Sequence, residues 1–294
     1  MSIGPVIWAY AAFGVVFAIG LAAIFRRGDW KKTRGLEKLI LFGPVFYAAP
    51  IAAFGTEHFT VAAIVSMVPS WIPWHLFWTY FVGVCLIAAG LSLVTGIRTR
   101  LAGNLLGLMF FLFVALMDFP AWLQDPKDRF AAALMLRELA FSGGALALAG
   151  SLAPQGSARG AHPLATIARY FVAIAVLFYS VQQFLHGNYV PAIPLNRPTP
   201  EWIPGGTVWT YLAAAVYAPA GVLLLIGRKT RAAAAWLGLT VLVIELAVYV
   251  PIAVAERASL TGINFMADTL MFCGALFLLA GAMPGRAEMR SGKR

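Results

Sequence analysis

The sequence predicts an all-α polytopic membrane protein with about nine transmembrane helices, arranged as one N-terminal helix and two parallel four-helix repeats. Apolar residues make up 61% and charged residues 12% of the 294 positions, whereas soluble domains have about 25% charged residues. A transmembrane helix needs about 20 largely apolar residues. The segments that meet this requirement are roughly 5–25, 36–55, 76–96, 101–122, 130–150, 165–186, 208–227, 232–254 and 262–282.

An internal repeat divides these helices into two sets. Residues 71–120 and 202–251 align without a gap at an offset of 131, with 17 of 50 positions identical. Trp71-Ile72-Pro73 matches Trp202-Ile203-Pro204, and Pro120 matches Pro251. Shared hydrophobicity alone does not place such matches in register, so the pattern indicates a duplicated bundle.

The repeat defines the expected organisation of the chain. Both repeats begin on the same side of the membrane, so the axis relating them is expected to lie along the membrane normal. The predicted segments are an extra N-terminal helix with a basic loop (1–35), the first four-helix repeat (36–151), a polar linker (152–163), the second repeat (164–283) and a basic tail (284–294).

The net charge of +10 comes mainly from Lys and Arg residues in the loops. Of the 22 Lys and Arg residues, 17 lie in or beside alternate loops and the tail, four lie in the other loops, and Arg137 lies inside a span. This alternation follows the positive-inside rule. It predicts a bacterial inner-membrane protein with its N-terminus outside and its C-terminus in the cytoplasm. The lipid bilayer is then the expected partner, and nucleic acid is not.

Metal, haem and thiol chemistry have little support. Cys85 and Cys273 lie in different spans without a CxxC pair, which favours packing roles. The four histidines show no ligand spacing within one helix, so no metal site is predicted. Haem bound between His58 and His186 across the repeat axis is a minor alternative.

Ionisable groups inside spans identify the candidate site, because intramembrane charge is costly and commonly functional. A histidine closes the first helix of each repeat, and each following loop contains two or more prolines and a Trp-Ile-Pro. We expect these loops to fold down as aromatic caps; the alternative is a purely interfacial anchor. An offset of 130 pairs Glu138 with Asp268. The candidate ligand-binding residues, all in the outer half, are His58, Trp71, Asp118, Arg137, Glu138, His186, Trp202, Glu245 and Asp268.

A histidine, carboxyl groups and an aromatic lid suit a small amphipathic ligand such as a quinone headgroup. These side chains can hydrogen-bond its carbonyls and pass protons to the aqueous face. The alternative is that Arg137 pairs with Glu138 or Asp118 only to fix helix packing. No catalytic residue is assigned.

Several motifs of the first repeat resemble the DoxX-like integral membrane proteins. They are the terminal His58, Trp71-Ile72-Pro73, the turn Thr99-Arg100-Leu101-Ala102, and Arg137-Glu138-Leu139-Ala140 followed by Gly143-Gly144. The chain is therefore similar to two fused DoxX-like units with an additional N-terminal helix. The resemblance implies a four-helix bundle per unit. The family includes a small subunit of a thiosulfate:quinone oxidoreductase, but no active-site residue of its redox members can be placed on this chain.

The resulting functional expectation is an auxiliary component of a membrane redox system, without independent catalytic activity, that binds a quinone-like or other lipophilic molecule. One alternative is a structural or assembly subunit of a larger membrane complex, without its own ligand. A second alternative is a small-solute transporter, which parallel repeats and intramembrane charges allow.

Overall fold

A computed structural model describes residues 4–154, 161–193 and 197–284 of the chain. Half of the predicted linker (155–160) and nearly all of the predicted basic tail (285–294) lie outside these residues. The model is 80% helical and contains no strand within the described ranges. The expected all-α fold class is therefore confirmed.

Nine helices in the described part of the chain are long and apolar enough to cross a membrane. This agrees with the predicted number, although the second helix continues five residues beyond its expected end. The helices are α1 (Gly4–Arg27), α2 (Glu37–Thr60), α3 (His75–Thr95), α4 (Thr99–Gln124), α5 (Arg129–Ser151), α6 (Pro163–Leu185), α7 (Thr207–Leu225), α8 (Thr230–Ala255) and α9 (Leu260–Ala282).

The two ends of the bundle differ in their connections. One end, here called the basic end, has the connections at 28–36, 96–98 and 226–229, which carry much of the positive charge. The opposite end, here called the long-loop end, has the connections at 61–74 and 186–206. Because α1 starts at the long-loop end, the odd-numbered helices α1, α3, α5, α7 and α9 run from that end to the basic end.

The helices pack as an interleaved ring around the pair α5 and α9. Within each half, consecutive helices are neighbours, but α2 also packs on α9 and α6 packs on α5. The first helix of each half therefore lies against the last helix of the other half. A Cβ atom placed on Gly144 of α5 would lie 2.5 Å from the Cβ of Ala275 on α9. Small residues thus allow the two central helices to approach closely.

The same local structures occur in both halves at an offset of 131. Ser142 Oγ donates a hydrogen bond to the Gly107 carbonyl at 2.7 Å, and Cys273 Sγ donates to the Gly238 carbonyl at 3.3 Å. A π-helical turn interrupts α4 at Val114–Asp118 and α8 at Glu245–Tyr249. The offset of 131 therefore also applies to α5 and α9. It replaces the expected offset of 130.

This register corrects one predicted correspondence. At an offset of 131, Arg137 is the equivalent of Asp268, and Glu138 is the equivalent of Thr269. The Gly-Ala-Leu match at an offset of 130 is explained by the small residues that both central helices need along their contact.

The two long loops have different structures. In the loop after α6, Val190, Ala192 and Ile193 are buried in the helix bundle. The side chain of Gln183 on α6 accepts a hydrogen bond from the Ala192 amide at 3.1 Å, and Tyr249 donates to the Pro191 carbonyl at 2.5 Å. We call residues 190–193 the plug. In the loop after α2, residues 61–74 are exposed or only partly buried, so this loop has no comparable plug.

Candidate functional site

An arginine in the middle of α5 is the centre of the polar interior. Arg137 Nη1 donates to Asp268 Oδ2 of α9 at 2.7 Å, and Arg137 Nη2 donates to Glu138 Oε1 at 3.0 Å. The guanidinium also lies 5.9 Å from the centre of the Phe141 ring. Asp268 is buried, whereas the side chains of Arg137 and Glu138 retain 19% and 17% of their exposure. A molecule at the surface of the bundle can therefore reach these two groups.

Two tyrosines fix α5 on either side of this arginine. Tyr179 of α6 donates to the Ala133 carbonyl at 2.9 Å, and Tyr47 of α2 donates to the Phe141 carbonyl at 2.7 Å. These carbonyls lie four residues before and four residues after Arg137, which is about one helical turn in each direction. Both tyrosines are fully buried. The position of Arg137 is thus set by hydrogen bonds to both neighbouring helices.

Two more carboxyl groups lie near the ion pairs of Arg137. Asp118, in the π-helical turn of α4, lies within electrostatic reach of Arg137 and Glu138. Glu57 of α2 is buried within reach of Asp268. With its amide nitrogen facing Glu57, Asn264 of α9 donates to Glu57 Oε1 at 2.6 Å. We call Glu57, Asp118, Arg137, Glu138 and Asp268 the Arg137 cluster.

The central ion pair joins equivalent positions of the two halves. Arg137 and Asp268 are 131 residues apart, which is the repeat offset, and their side chains touch. Gly144 and Ala275 have the same separation and also face each other. Residues that contact their own equivalents lie on the axis that relates the halves. The Arg137 cluster is therefore built around the repeat axis.

Several polar atoms of the cluster remain without a hydrogen bond. Arg137 Nε, Glu138 Oε2 and Asp118 Oδ2 are buried and have no partner among the described residues. Buried polar atoms are rarely left in this condition, because each lost hydrogen bond costs about 1–3 kcal/mol. One N–H donor and two carboxyl oxygens thus remain available in one neighbourhood.

The charges of the cluster do not balance unless it contains bound protons. Four carboxyl groups and one guanidinium make up the cluster, so full ionisation would leave a net charge of −3 inside a membrane protein (four negative charges and one positive). Uncompensated charge at this depth is costly. The carboxyl groups of the cluster are therefore candidates for binding protons.

The cluster lies at a defined depth from the long-loop end. Arg137 is eight residues beyond the start of α5, and Asp268 is eight residues beyond the start of α9. At 1.5 Å per residue, both lie about 12 Å from those helix ends.

The predicted histidines do not join the cluster. His58 Nδ1 lies 2.8 Å from the Phe54 carbonyl, so in a neutral ring Nδ1 carries the proton and Nε2 can accept one. His186 ends α6 and packs edge-on against Tyr189, with 6.0 Å between the ring centres. In the described ranges, no hydrogen bond or ion pair links either histidine to the acids.

The predicted aromatic caps also differ from the structure. Trp71 and Trp202 are 64% and 53% exposed, so neither ring covers the Arg137 cluster. Tryptophan favours the membrane–water boundary, where its ring and its N–H group are both accommodated. The described part of the loop after α6 instead buries apolar side chains in the bundle, namely those of the plug and of Ile203.

Glu245 lies apart from the cluster. It is 2% exposed in the π-helical turn of α8, and its Oε2 has no hydrogen-bond partner in the described part of the chain. Of the nine predicted residues, the structure thus brings together Asp118, Arg137, Glu138 and Asp268, and leaves the other five outside.

The sequence interpretation passed over several residues that the structure places in or beside the site. Glu57 precedes His58 near the end of α2 and is not among the predicted residues. Its partner Asn264 lies 207 residues away, and that separation cannot be read from one sequence. Tyr47 and Tyr179 looked like ordinary apolar-span residues. A buried hydroxyl requires a partner, which was the signal available for both.

A cavity of about 260 Å³ lies at the basic end, between α1 and the remaining helices. None of the nine predicted residues lines it. Within the described ranges, no group of three or more His, Cys, Asp or Glu side chains is arranged to hold a metal ion.

Comparisons with known proteins give no relative. No family model matches the chain, and neither the curated proteins nor the solved structures yield a match. The DoxX-like resemblance therefore rests on the sequence motifs alone and stays a prediction.

Proposed function

We propose that this multi-pass membrane protein binds a lipophilic molecule with carbonyl or hydroxyl groups, such as a quinone, at the Arg137 cluster. In this proposal it exchanges protons with that molecule as an auxiliary component of a membrane redox system. The long-loop end faces outward in a bacterial inner membrane, with the N-terminus outside, in accordance with the loop charges. Membership of the DoxX-like family is part of the same proposal.

The proposal rests on the polar atoms beside the ion pair that have no hydrogen-bond partner among the described residues. Arg137 Nε–H can donate to a ligand carbonyl, and Glu138 Oε2 or Asp118 Oδ2 can accept from a ligand hydroxyl. A quinone offers carbonyls when oxidised and hydroxyls when reduced. It would supply the electron chemistry, while the residues of this chain bind it and hold or release protons.

The partial exposure of the cluster suits such a ligand. Arg137 and Glu138 are reachable from the surface of the bundle, and a lipophilic molecule arrives through the bilayer rather than through an aqueous funnel. The charge balance of the cluster supports proton exchange, since a carboxyl group can give its bound proton to a carbonyl oxygen of the ligand when an electron donor of the redox system reduces that ligand.

The test is the lipophilic content of the protein after mild purification from native membranes. The wild type should retain a stoichiometric molecule, identified by mass spectrometry, and Glu138→Gln should retain much less. Glu201→Gln makes the same chemical change on an exposed loop residue, and it should retain as much as the wild type. Equal content in all three variants, or no bound molecule in any of them, would reject the proposal.

A structural subunit is the second candidate, and the exposure of α1 favours it. α1 stands outside the repeat and presents large apolar side chains such as Ile7, Trp8 and Val15, each about 60% exposed. This surface suits a helix of another membrane subunit as well as lipid. Co-purification of a stoichiometric partner that is lost when Trp8 and Val15 are changed to Ser would favour this candidate.

A further inference from the structure

We propose that Glu245 is a second proton-binding site, deeper in the membrane than the Arg137 cluster, and that it exchanges its proton with the cluster through Tyr249. This inference goes beyond the proposed ligand, because it concerns the path of protons in the second half of the chain and requires no bound molecule.

The depth of Glu245 distinguishes it from the other acids. It lies ten residues before the end of α8 at Ala255, which corresponds to about 15 Å from the long-loop end. The apolar core of a bilayer is about 30 Å thick, so Glu245 is near its middle. Asp118 lies one turn closer to the long-loop end in the equivalent helix α4.

Among the described residues, no cation forms an ion pair with this carboxyl group. The ion pairs of the described residues are Arg137–Glu138, Arg137–Asp268, Arg197–Glu256 and Arg231–Glu37, and none of them includes Glu245. Its side chain is buried and its Oε2 has no partner in those ranges. A carboxylate without a cation at this depth is very costly. The neutral acid, with its proton bound, is therefore the resting form.

The groups around Glu245 are hydroxyl and thiol groups. On its own helix, Tyr249 lies within electrostatic reach, and from α9 Cys273 does so as well. From α7, Tyr217 lies near both Tyr249 and Cys273, and its hydroxyl has no partner among the described residues. All of these groups are neutral in their ordinary state. None of them can act as a permanent counter-ion.

Tyr249 connects this site with the cluster. It is within electrostatic reach of both Glu245 and Asp268, and Thr269, the neighbour of Asp268, lies close enough to interact with its hydroxyl. In the structure the Tyr249 hydroxyl donates to the Pro191 carbonyl of the plug, so its oxygen can accept from Thr269. For transfer, the hydroxyl must turn from Pro191 toward a carboxyl group. The phenol oxygen then accepts one proton as its own proton moves to the next oxygen.

The residues of the proposed proton path occur only in the second half of the chain. At the offset of 131, Val114 takes the place of Glu245, Leu86 that of Tyr217, and Asp118 that of Tyr249. The first half therefore places its acid directly in the Arg137 cluster. The second half instead places a phenol at that position and an acid one turn deeper.

Infrared difference spectroscopy of the protein in lipid nanodiscs tests the inference without added quinone. The wild type should show carbonyl bands of protonated carboxyl groups in apolar surroundings, and Glu245→Gln should remove one of them, here called the Glu245 band. On transfer to heavy water, Tyr249→Phe should slow the isotope shift of the Glu245 band at least about tenfold, the factor produced by a barrier increase of about 1.4 kcal/mol. Tyr217→Phe removes the hydroxyl of a neighbouring buried tyrosine outside the path, and it should exchange at the wild-type rate.

The possible outcomes are distinct. A Glu245→Gln spectrum that keeps every carboxyl band of the wild type, or unchanged exchange of the Glu245 band in Tyr249→Phe with intact amide bands, would overturn the inference. Because the measurement uses no lipophilic ligand, a failure of ligand binding leaves its outcome unaffected, and the two proposals can be rejected separately.

Discussion

Arg137 and Asp268 form an ion pair at 2.7 Å although they occupy equivalent positions in the two halves of the chain. Two identical halves related by a twofold axis would place the same residue on both sides, and two like charges at this distance repel each other strongly. In one duplicated chain the two positions can differ. The fused arrangement therefore permits a charge pair on the axis that a symmetric dimer of identical units cannot have.

The first prediction is that the positive and negative charges of this pair can be exchanged between positions 137 and 268. Arg137→Asp should lower the stability by about 3–5 kcal/mol, because it removes the guanidinium from a group of buried acids. Adding Asp268→Arg restores opposite charges at equivalent positions and should recover most of the loss. Thermal unfolding in nanodiscs measures both changes. The control adds Glu201→Arg to Arg137→Asp, which makes a like charge change on an exposed residue, and recovery there would contradict the pairing.

The close contact of the central helices gives the second prediction. A methyl group on Gly144 would collide with Ala275 at 2.5 Å, so Gly144→Ala should destabilise the protein by about 1–3 kcal/mol. Gly14→Ala is the matched substitution in α1, where a Cβ meets nothing within 4 Å. It should be neutral or stabilising by about 0.5–1 kcal/mol. Equal unfolding temperatures for the two variants would show that α5 and α9 do not approach as described.

The helices were predictable from the sequence because each carries its own signal. Length and apolar composition identify a span without reference to its neighbours. Charged residues inside spans can also be identified from the sequence alone, because intramembrane charge is costly. This criterion selected Asp118, Arg137, Glu138 and Asp268, which the structure places together.

The contacts within the site were not predictable in the same way. The partner of Arg137 is fixed by the register between α5 and α9, and a shift of one residue in the alignment paired Asp268 with Glu138 instead. Glu57 enters the cluster because α2 packs on α9 of the other half. A single sequence contains no signal for that packing. The exposure of Trp71 and Trp202 likewise depends on where each loop turns.

The plug gives the third prediction. Gln183 accepts from the Ala192 amide and donates to the Tyr179 carbonyl at 3.2 Å. Gln183→Ala should therefore speed the hydrogen exchange of the Ala192 amide about fivefold, in line with a lost hydrogen bond of about 1 kcal/mol. Gln182→Ala removes the neighbouring amide, whose buried oxygen has no partner within the described ranges, and should leave that exchange unchanged. Faster exchange in both variants would indicate a general loosening of α6.

The fourth prediction concerns pH and the anchor of the second long loop. Arg197 hydrogen-bonds Glu256 and lowers the pKa of that carboxyl below its ordinary value of 4.5. A lowered pKa in the folded state means that the pair stabilises fully above the ordinary value and loses its effect as the pH falls through the lowered one. The pair is near the surface and contributes about 1 kcal/mol or less.

Unfolding of the wild type and of Glu256→Gln should therefore differ by a constant amount at neutral pH, and the difference should vanish in strong acid. Thermal midpoints measured across this pH range provide the comparison. A difference that grows as the pH falls would have the wrong sign for a carboxyl with a lowered pKa.

The most direct test of the central claim is a titration of the protein in lipid nanodiscs with a benzoquinone that carries a decyl tail. Wild type and Glu201→Gln should bind this probe with the same affinity. Asp118→Asn and Glu138→Gln should each weaken binding about tenfold, which corresponds to about 1.4 kcal/mol for one altered hydrogen bond. Equal affinity in all four proteins, or no saturable binding to the wild type, would contradict a quinone site at the Arg137 cluster.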